Sequence, residues 1–351
     1  MNFASDNVYG VSDKIMQALA DANRGTATSY GADALTKRVE QQLADIFEHE
    51  VSVFLVATGT AANALAVATY TPPYGAVVAH KDSHLMVDEC GAPEFYSGAK
   101  LIGVAGRAGR VTLDGLSGVL ASHERGNQHS VQPAMLSLTQ ATEAGTVYRP
   151  ADIAALAKLA HANHLAVHMD GARFANALVS LNASPAEMTW RAGVDILSFG
   201  ATKNGAMGAE AIVVFNPAHA DDLMYRRKRA GHLISKSRFV AAQMSAYLDG
   251  DHWLDLARRA NALARKLAEG IEASGQARLL WPVEANEMFP IFQRNTYDRL
   301  QQAGATFYKW APAAAHGETE IGSDEVLTRL ICSFATQEAD IDRFLECVGS
   351  K

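Results

Sequence analysis

From Val51 onward the chain alternates short apolar runs with longer amphipathic stretches, and this rhythm restricts the fold more than any other feature. The runs are VSVFLVA, GAVVAH, AKLIGVAG, PAMLSLTQ, HLAVHMDGA, VDILSFG and AEAIVVF. Each has the length and the Val, Ile, Leu and Phe content of a buried strand. Helical segments such as TAANALAVATY and PADIAALAKLAHANH separate most of them. Strand–helix alternation predicts an α/β fold with a mostly parallel, seven-stranded sheet covered on both faces. Upstream, DALTKRVEQQLADIF puts Leu35, Val39, Leu43, Ile46 and Phe47 on one helical face, with Asp33 as N-cap. Ser184 reads as the cap of another helix, with Pro185 at its first position.

After HLISKSRFVAAQMSAYLDG the texture changes. A long amphipathic stretch, DHWLDLARRANALARKLAEGIEASG, leads into mixed short strands and helices. This predicts a large domain over residues 1–250 and a smaller C-terminal α+β domain over 251–351. The length of 351 residues is enough for both. A net charge of -7 argues against DNA or RNA as the main partner, because phosphate neutralisation needs clustered cations. The one dense basic run, Tyr225 to His232, reads either as a solvated helix end or as an anion site. The three cysteines, Cys90, Cys332 and Cys347, form no Cys-x-x-Cys pair and imply no disulfide framework; no metal is expected. The start lacks the features of a signal peptide, and no apolar run reaches the length of a membrane span. The expectation is a cytoplasmic soluble protein.

Four features fall where strands end, which is where open α/β sheets bind ligands. Gly59 and Thr60, in TGTAAN, open a helix whose free N–H groups suit a phosphate, although a glycine before a helix is more often a turn. His84, in HKDSHLMVDE, reads as a capping or partly buried histidine, or as a ring stacked on a flat cofactor or a proton carrier. Asp170 and Arg173, in HMDGAR, read as a helix cap, or as partners for a heterocycle: the carboxylate for a pyridine nitrogen, the guanidinium for a neighbouring oxygen or a carboxylate. Lys203, in SFGATKNGAMGAE, reads as an exposed turn lysine or as an imine-forming one. Its small neighbours Gly200, Ala201, Gly205 and Ala206 would leave room for a ring. Together the four describe one ligand, pyridoxal 5'-phosphate, which is held by a lysine Schiff base with an aspartate at the pyridine nitrogen.

The sequence resembles the low-specificity L-threonine aldolases, in the β-eliminating-lyase branch of the fold type I pyridoxal-phosphate enzymes. The motifs carrying the resemblance run along nearly the whole chain: ASDNVYG, SYGADALTKRVEQQLADIF, GTAANALA, DSHLMVDECGAPEF, SLTQATEAGTVY, HMDGARFANA, SFGATKNGAMGAE, RRKRAGHLISKSRF and RLICSFAT. The resemblance implies that Lys203 holds the cofactor, Asp170 faces the pyridine nitrogen with Arg173 beside it, His84 stacks on the ring, and Gly59 and Thr60 bind phosphate. It implies that Ser5 and Arg329, with Arg173, take the substrate carboxylate. Arg229, or its neighbour Arg227, would reach a phosphate across a subunit interface, and the family's sites form between subunits of a tetramer. Many members carry a histidine about where Thr142 falls here, so the resemblance assigns neither the β-hydroxyl base nor the threo/erythro preference. His84, or a water it holds, is the sequence's own candidate base.

The implied activity is retro-aldol cleavage of L-threonine, L-allo-threonine and related β-hydroxy-α-amino acids to glycine and an aldehyde. Rival readings are another pyridoxal-phosphate lyase or transaminase on the same scaffold, and a non-catalytic binder of the cofactor. A nicotinamide dehydrogenase ranks lower, because no Gly-x-Gly-x-x-Gly opens the first strand–helix unit. The preferred aldehyde side chain is not legible.

Overall fold

The computed structural model describes residues 1–311, 315 and 318–349. A seven-stranded sheet runs, from one edge, through Ser52–Val56, Glu210–Val214, Ile196–Gly200, Ala166–Gly171, Gln132–Thr139, Gly75–His80 and Lys100–Val104. The last five strands pair in parallel, whereas Glu210–Val214 runs antiparallel to both its neighbours. The reversal follows from the connection before it. Gly200 and Glu210 are joined by a short turn, and a parallel return would need a crossover of a dozen or more residues.

The strands Gly75–His80, Ile196–Gly200 and Glu210–Val214 are buried along their whole length, which explains why they read as continuous apolar runs rather than alternating ones. On one face of the sheet the helix Ala34–Phe47 buries Val39, Leu43 and Phe47, and the Asp33 side chain accepts the Thr36 N–H as its cap. The Phe47 ring meets Phe174, Phe199 and Phe215 at centroid distances of 6.3, 6.3 and 5.2 Å. Each such fully buried side chain contributes roughly 1.5–3 kcal/mol. On the other face the helix Gly59–Tyr70 buries every residue from Ala61 to Ala68. Ser184 caps Pro185–Met188 with a reciprocal bond to Glu187.

Beyond residue 276 a second, antiparallel sheet orders Ala277–Leu279, Pro290–Gln293, Glu325–Ile331 and Glu287–Met288, with Tyr308–Lys309 also paired to Glu325–Ile331. The helix His252–Ala273 serves both layers. Its first turns put Trp253 and Ala257 into the large core, and its later turns put Leu263, Leu267 and Ile271 into the small one. The N-terminus joins the small sheet as well: Phe3 donates to Thr306 O at 2.8 Å, and Ile331 donates to Phe3 O at 2.9 Å. That anchorage carries Ser5 and Asn7 across to the strand ends of the large sheet. Among the described residues no helix is long and apolar enough to cross a membrane.

Candidate active site

Two joined cavities open at the carboxyl ends of the parallel strands. The narrower, about 230 Å³, is lined by Gly59, Thr60, Asn63, Asp170, Thr202 and Glu210. The wider, about 500 Å³, is lined by Ser5, Glu143, Arg173, Glu287, Trp310 and Arg329. Asn7, His84 and Lys203 border both, so Lys203 stands at the neck between them.

Lys203 rides on a single 3-10 turn, Thr202–Asn204, between the strands Ile196–Gly200 and Glu210–Val214. Asn204 locks the turn by donating to Tyr247 Oη and Trp253 O, both at 2.8 Å. The small neighbours do a different job from the one expected. None of Gly200, Ala201, Gly205 and Ala206 lines either cavity. A Cβ on Gly200 would meet the Ala172 backbone at 2.8 Å, and Gly205 has φ of +109° with Leu256 close by. Their smallness lets the turn pack tightly on the neighbouring strand end, rather than leaving space for a ring.

Asp170 ends the strand Ala166–Gly171 and is buried. Its Oδ1 accepts the Ala172 N–H at 3.0 Å and its Oδ2 accepts Asn63 Nδ2 at 2.9 Å. Asn63 also donates to Glu89 Oε1 at 2.7 Å, and that same oxygen lies 2.9 Å from His84 Nδ1. The bond to Glu89 raises the His84 pKa against the opposing effects of burial and Lys203. Burial raises Glu89 in turn, although its bond to His84 pulls the other way. His168, two residues before Asp170, takes no part in this site. It is wedged between Ser137 Oγ and Ser198 Oγ inside the sheet, and burial lowers it to about 4, so it stays neutral.

At the far end of the narrow cavity, Thr58 caps the helix Gly59–Tyr70 by accepting the Ala61 N–H. The N–H of Ala62 goes to Thr58 O, which leaves those of Gly59 and Thr60 without partners inside the helix. Sequence reasoning missed the carboxyl in the same cavity. Glu210 is buried and raised to about 7 by burial, against bonds from Thr202 and the backbone and the pull of Lys203.

The wide cavity holds a charge cluster. Arg173 donates to Asp6 through Nε at 2.8 Å and Nη2 at 3.2 Å, and its Nη1 lies 3.3 Å from Glu287 Oε2. Burial pushes Asp6 up, but Arg173 and Lys203 overcome it and hold the group below the usual carboxylate range. Arg329 donates to Ala4 O at 3.3 Å and lies over the rings of Trp310 and Tyr308, at 4.7 and 5.1 Å. Its Nε is 3.6 Å from Glu287 Oε1. Ser5 accepts the Asn7 N–H at the cavity wall.

The structure therefore brings Ser5, Gly59, Thr60, His84, Asp170, Arg173, Lys203 and Arg329 to one pair of cavities. It does not bring Arg227 or Arg229 there. Arg227 donates to Leu55 O and covers the Phe54 ring, and Arg229 is exposed at the end of the helix Ala220–Arg229. Thr142 is also apart: it is fully buried, bonded to Thr146 Oγ1 at 2.9 Å. Its neighbour Glu143 faces the wide cavity instead. Asn63, Glu89 and Glu143 all sit inside motifs that the sequence singles out, but no local pattern marks their roles.

The Beta-eliminating lyase family matches residues 2–294. A low specificity L-threonine aldolase of Pseudomonas aeruginosa is 41% identical over 98% of this chain and 95% of its own length. A solved threonine aldolase of Leishmania major superposes with a TM-score of 0.92 at 26% identity, covering 99% of this chain and 98% of that one. A serine palmitoyltransferase of Sphingomonas wittichii shares the fold, with a TM-score of 0.71 at 16% identity over 99% of this chain and 86% of that one.

Proposed function

The chain belongs to the Beta-eliminating lyase family, and from that membership and the cavity we infer a pyridoxal-phosphate-dependent aldehyde-lyase. It cleaves L-threonine, L-allo-threonine and other β-hydroxy-α-amino acids to glycine and an aldehyde. One observation carries the reading: Lys203 stands at the neck between a cavity with an aspartate and a free helix N-terminus and a cavity with two arginines.

The residues present fit the cofactor. Among the described residues the Asp170 carboxylate accepts only the Asn63 and Ala172 hydrogens given above, so it keeps lone pairs for a ring N–H. The N–H groups of Gly59 and Thr60, at the positive end of a helix dipole, suit a phosphate. In this reading Lys203 would hold the cofactor covalently through Nζ, and His84, oriented by Glu89, would stack on its ring. Arg173 serves the ring oxygen and the substrate carboxylate, and Ser5 and Arg329 grip that carboxylate. Bound pyridoxal phosphate supplies an electron sink for the pair released at Cα. The arginines contribute orientation, which alone can account for several kcal/mol of a barrier. Arg173 is held rigid by Asp6 and Glu287, so little reorganisation is needed when the carboxylate docks.

The resemblance also implies a cytoplasmic homo-oligomer, a tetramer with its sites between subunits. Exposed apolar residues support the assembly: Phe95 and Met207 are 81% and 58% exposed, and Val87 is exposed at the rim of the wide cavity. Arg229 lines neither cavity and is exposed, so it could serve a neighbour's phosphate.

The test is to load the protein with pyridoxal phosphate, trap it with borohydride and map the labelled peptide, then follow products from threonine. The reading expects the label on Lys203, glycine and acetaldehyde as products, and loss of both label and turnover in Lys203→Ala. A label elsewhere, or pyruvate and ammonia in place of glycine, would refute it.

A further inference from the structure

We propose that Glu143 is the general base that takes the β-hydroxyl proton during cleavage, a role that rests on the aldolase reading above. The loop carrying it follows the strand Gln132–Thr139, whose last residue pairs in register with Asp170, and Glu143 is near enough to feel the charge of that aspartate. Its side chain lines the wide cavity together with Lys203, Arg173 and Arg329. An amino acid that enters with its amine at Lys203 and its carboxylate at the arginines has its β-substituent in that cavity.

The carboxyl is bonded at one oxygen and unpartnered at the other. Oε1 accepts the His84 backbone N–H at 2.6 Å and the Thr139 hydroxyl at 3.0 Å. Among the described residues, the buried Oε2 has no hydrogen-bond partner. A buried carboxyl oxygen left without a donor costs on the order of 1–3 kcal/mol, and a substrate hydroxyl would supply the missing hydrogen bond. The charged and titratable groups around Glu143 favour proton uptake near neutrality. Burial and the nearby charge of Asp170 raise it to about 7, against the His84 N–H and the Thr139 hydroxyl. Arg173 and the buried Tyr148 also feel its charge.

The other acids in or beside the cavity are placed differently: Arg173 holds Asp6 below the usual range, Glu287 lies between Arg173 and Arg329, Asp82 lies 3.6 Å from His80, and Asp88 is exposed at the rim. His84 spends Nδ1 on Glu89, whose bond raises its pKa, and in the reading above its ring is given to the cofactor. The step balances. The hydroxyl proton passes to Glu143 Oε2, the O–H pair becomes the carbonyl π bond of the departing aldehyde, and the Cα–Cβ pair stays with the glycine fragment.

The experiment uses the loaded full-length enzyme and its Glu143→Gln variant, whose amide oxygen can keep both Oε1 bonds. Expected is a fall in kcat for threonine of roughly 10²- to 10⁴-fold with KM changed by less than about fivefold. Exchange of the glycine α-hydrogen in deuterium oxide, which moves no hydroxyl proton, should stay within about fivefold of wild type. The acid limb of the kcat/KM profile, with its midpoint near 7, should vanish. Glu143→Asp should recover part of kcat. A variant kcat within about tenfold of wild type, exchange lost in step with cleavage, or a persisting acid limb would each overturn the assignment. Wild-type turnover is measured first: its absence would sink the aldolase reading and the base with it, whereas normal wild-type turnover beside an unaffected variant sinks the base alone.

Discussion

The narrow cavity and the wide one are built differently. The narrow cavity takes most of its lining from strand ends and the turns beside them: Thr58, Gly59, Thr60 and Asn63, then Asp170, then Thr202, Lys203 and Glu210. Each piece is set by the strand just before it, so its geometry is as rigid as the sheet. The wide cavity joins Ser5 and Asn7 from the N-terminus with Trp281, Glu287, Trp310 and Arg329 from the second sheet. Those pieces are joined by contacts between distant parts of the chain, among them the backbone bonds of Phe3 with Thr306 and Ile331. The narrow cavity is suited to fix a resident group, and the wide one to select and orient what comes and goes.

Three experiments can break or sharpen that contrast, and they run from the largest expected effect to the smallest. Asp170→Ala removes the buried carboxylate of the narrow cavity and should lower kcat about a hundredfold or more, read by steady-state kinetics with threonine. An unchanged kcat would detach Asp170 from the chemistry. Arg329→Ala removes a cation of the wide cavity and should raise KM for threonine about 10- to 100-fold, the loss of one charge-assisted bond, with a smaller change in kcat. If kcat fell instead and KM held, Arg329 would act on the barrier and the contrast between the cavities would blur. Glu210→Gln should act most gently. Glu210 is neutral below about 7 and ionised above it, and its negative charge would repel a phosphate in the same cavity. Pyridoxal-phosphate affinity of the apoprotein, followed by fluorescence titration, should weaken several-fold as pH rises past that midpoint in wild type. The variant should lose this dependence, and equal slopes in the two proteins would remove Glu210 from the phosphate end.

Much of the narrow cavity was legible because its signals are local. A strand that ends in Asp-Gly-Ala-Arg, a glycine and threonine opening a helix, and a lysine after an apolar run are all visible within a few residues. The Asp33 and Ser184 caps were legible for the same reason. Glu89, Glu143 and Glu210 were not, because what distinguishes them is burial among residues distant in sequence. Glu89 bonds Asn63, and Glu143 is influenced by Asp170. The glycines and alanines around Lys203 were misread for a related reason. Whether a small residue faces a cavity or a neighbouring backbone depends on the packing partner, here Ala172 for Gly200.

Read alone, the sequence determined the periodicities: which runs are strands, which faces of helices are apolar, and hence which residues stand at strand ends. Those are consequences of local backbone geometry and side-chain polarity. Only the tertiary structure decided that Lys203 stands at a neck, that Arg173 is gripped by Asp6 and Glu287, and that one oxygen of Glu143 has no partner among the described residues. Proton affinity and hydrogen-bond satisfaction depend on every group within a few ångströms, and in a folded chain most of those groups come from far away along it.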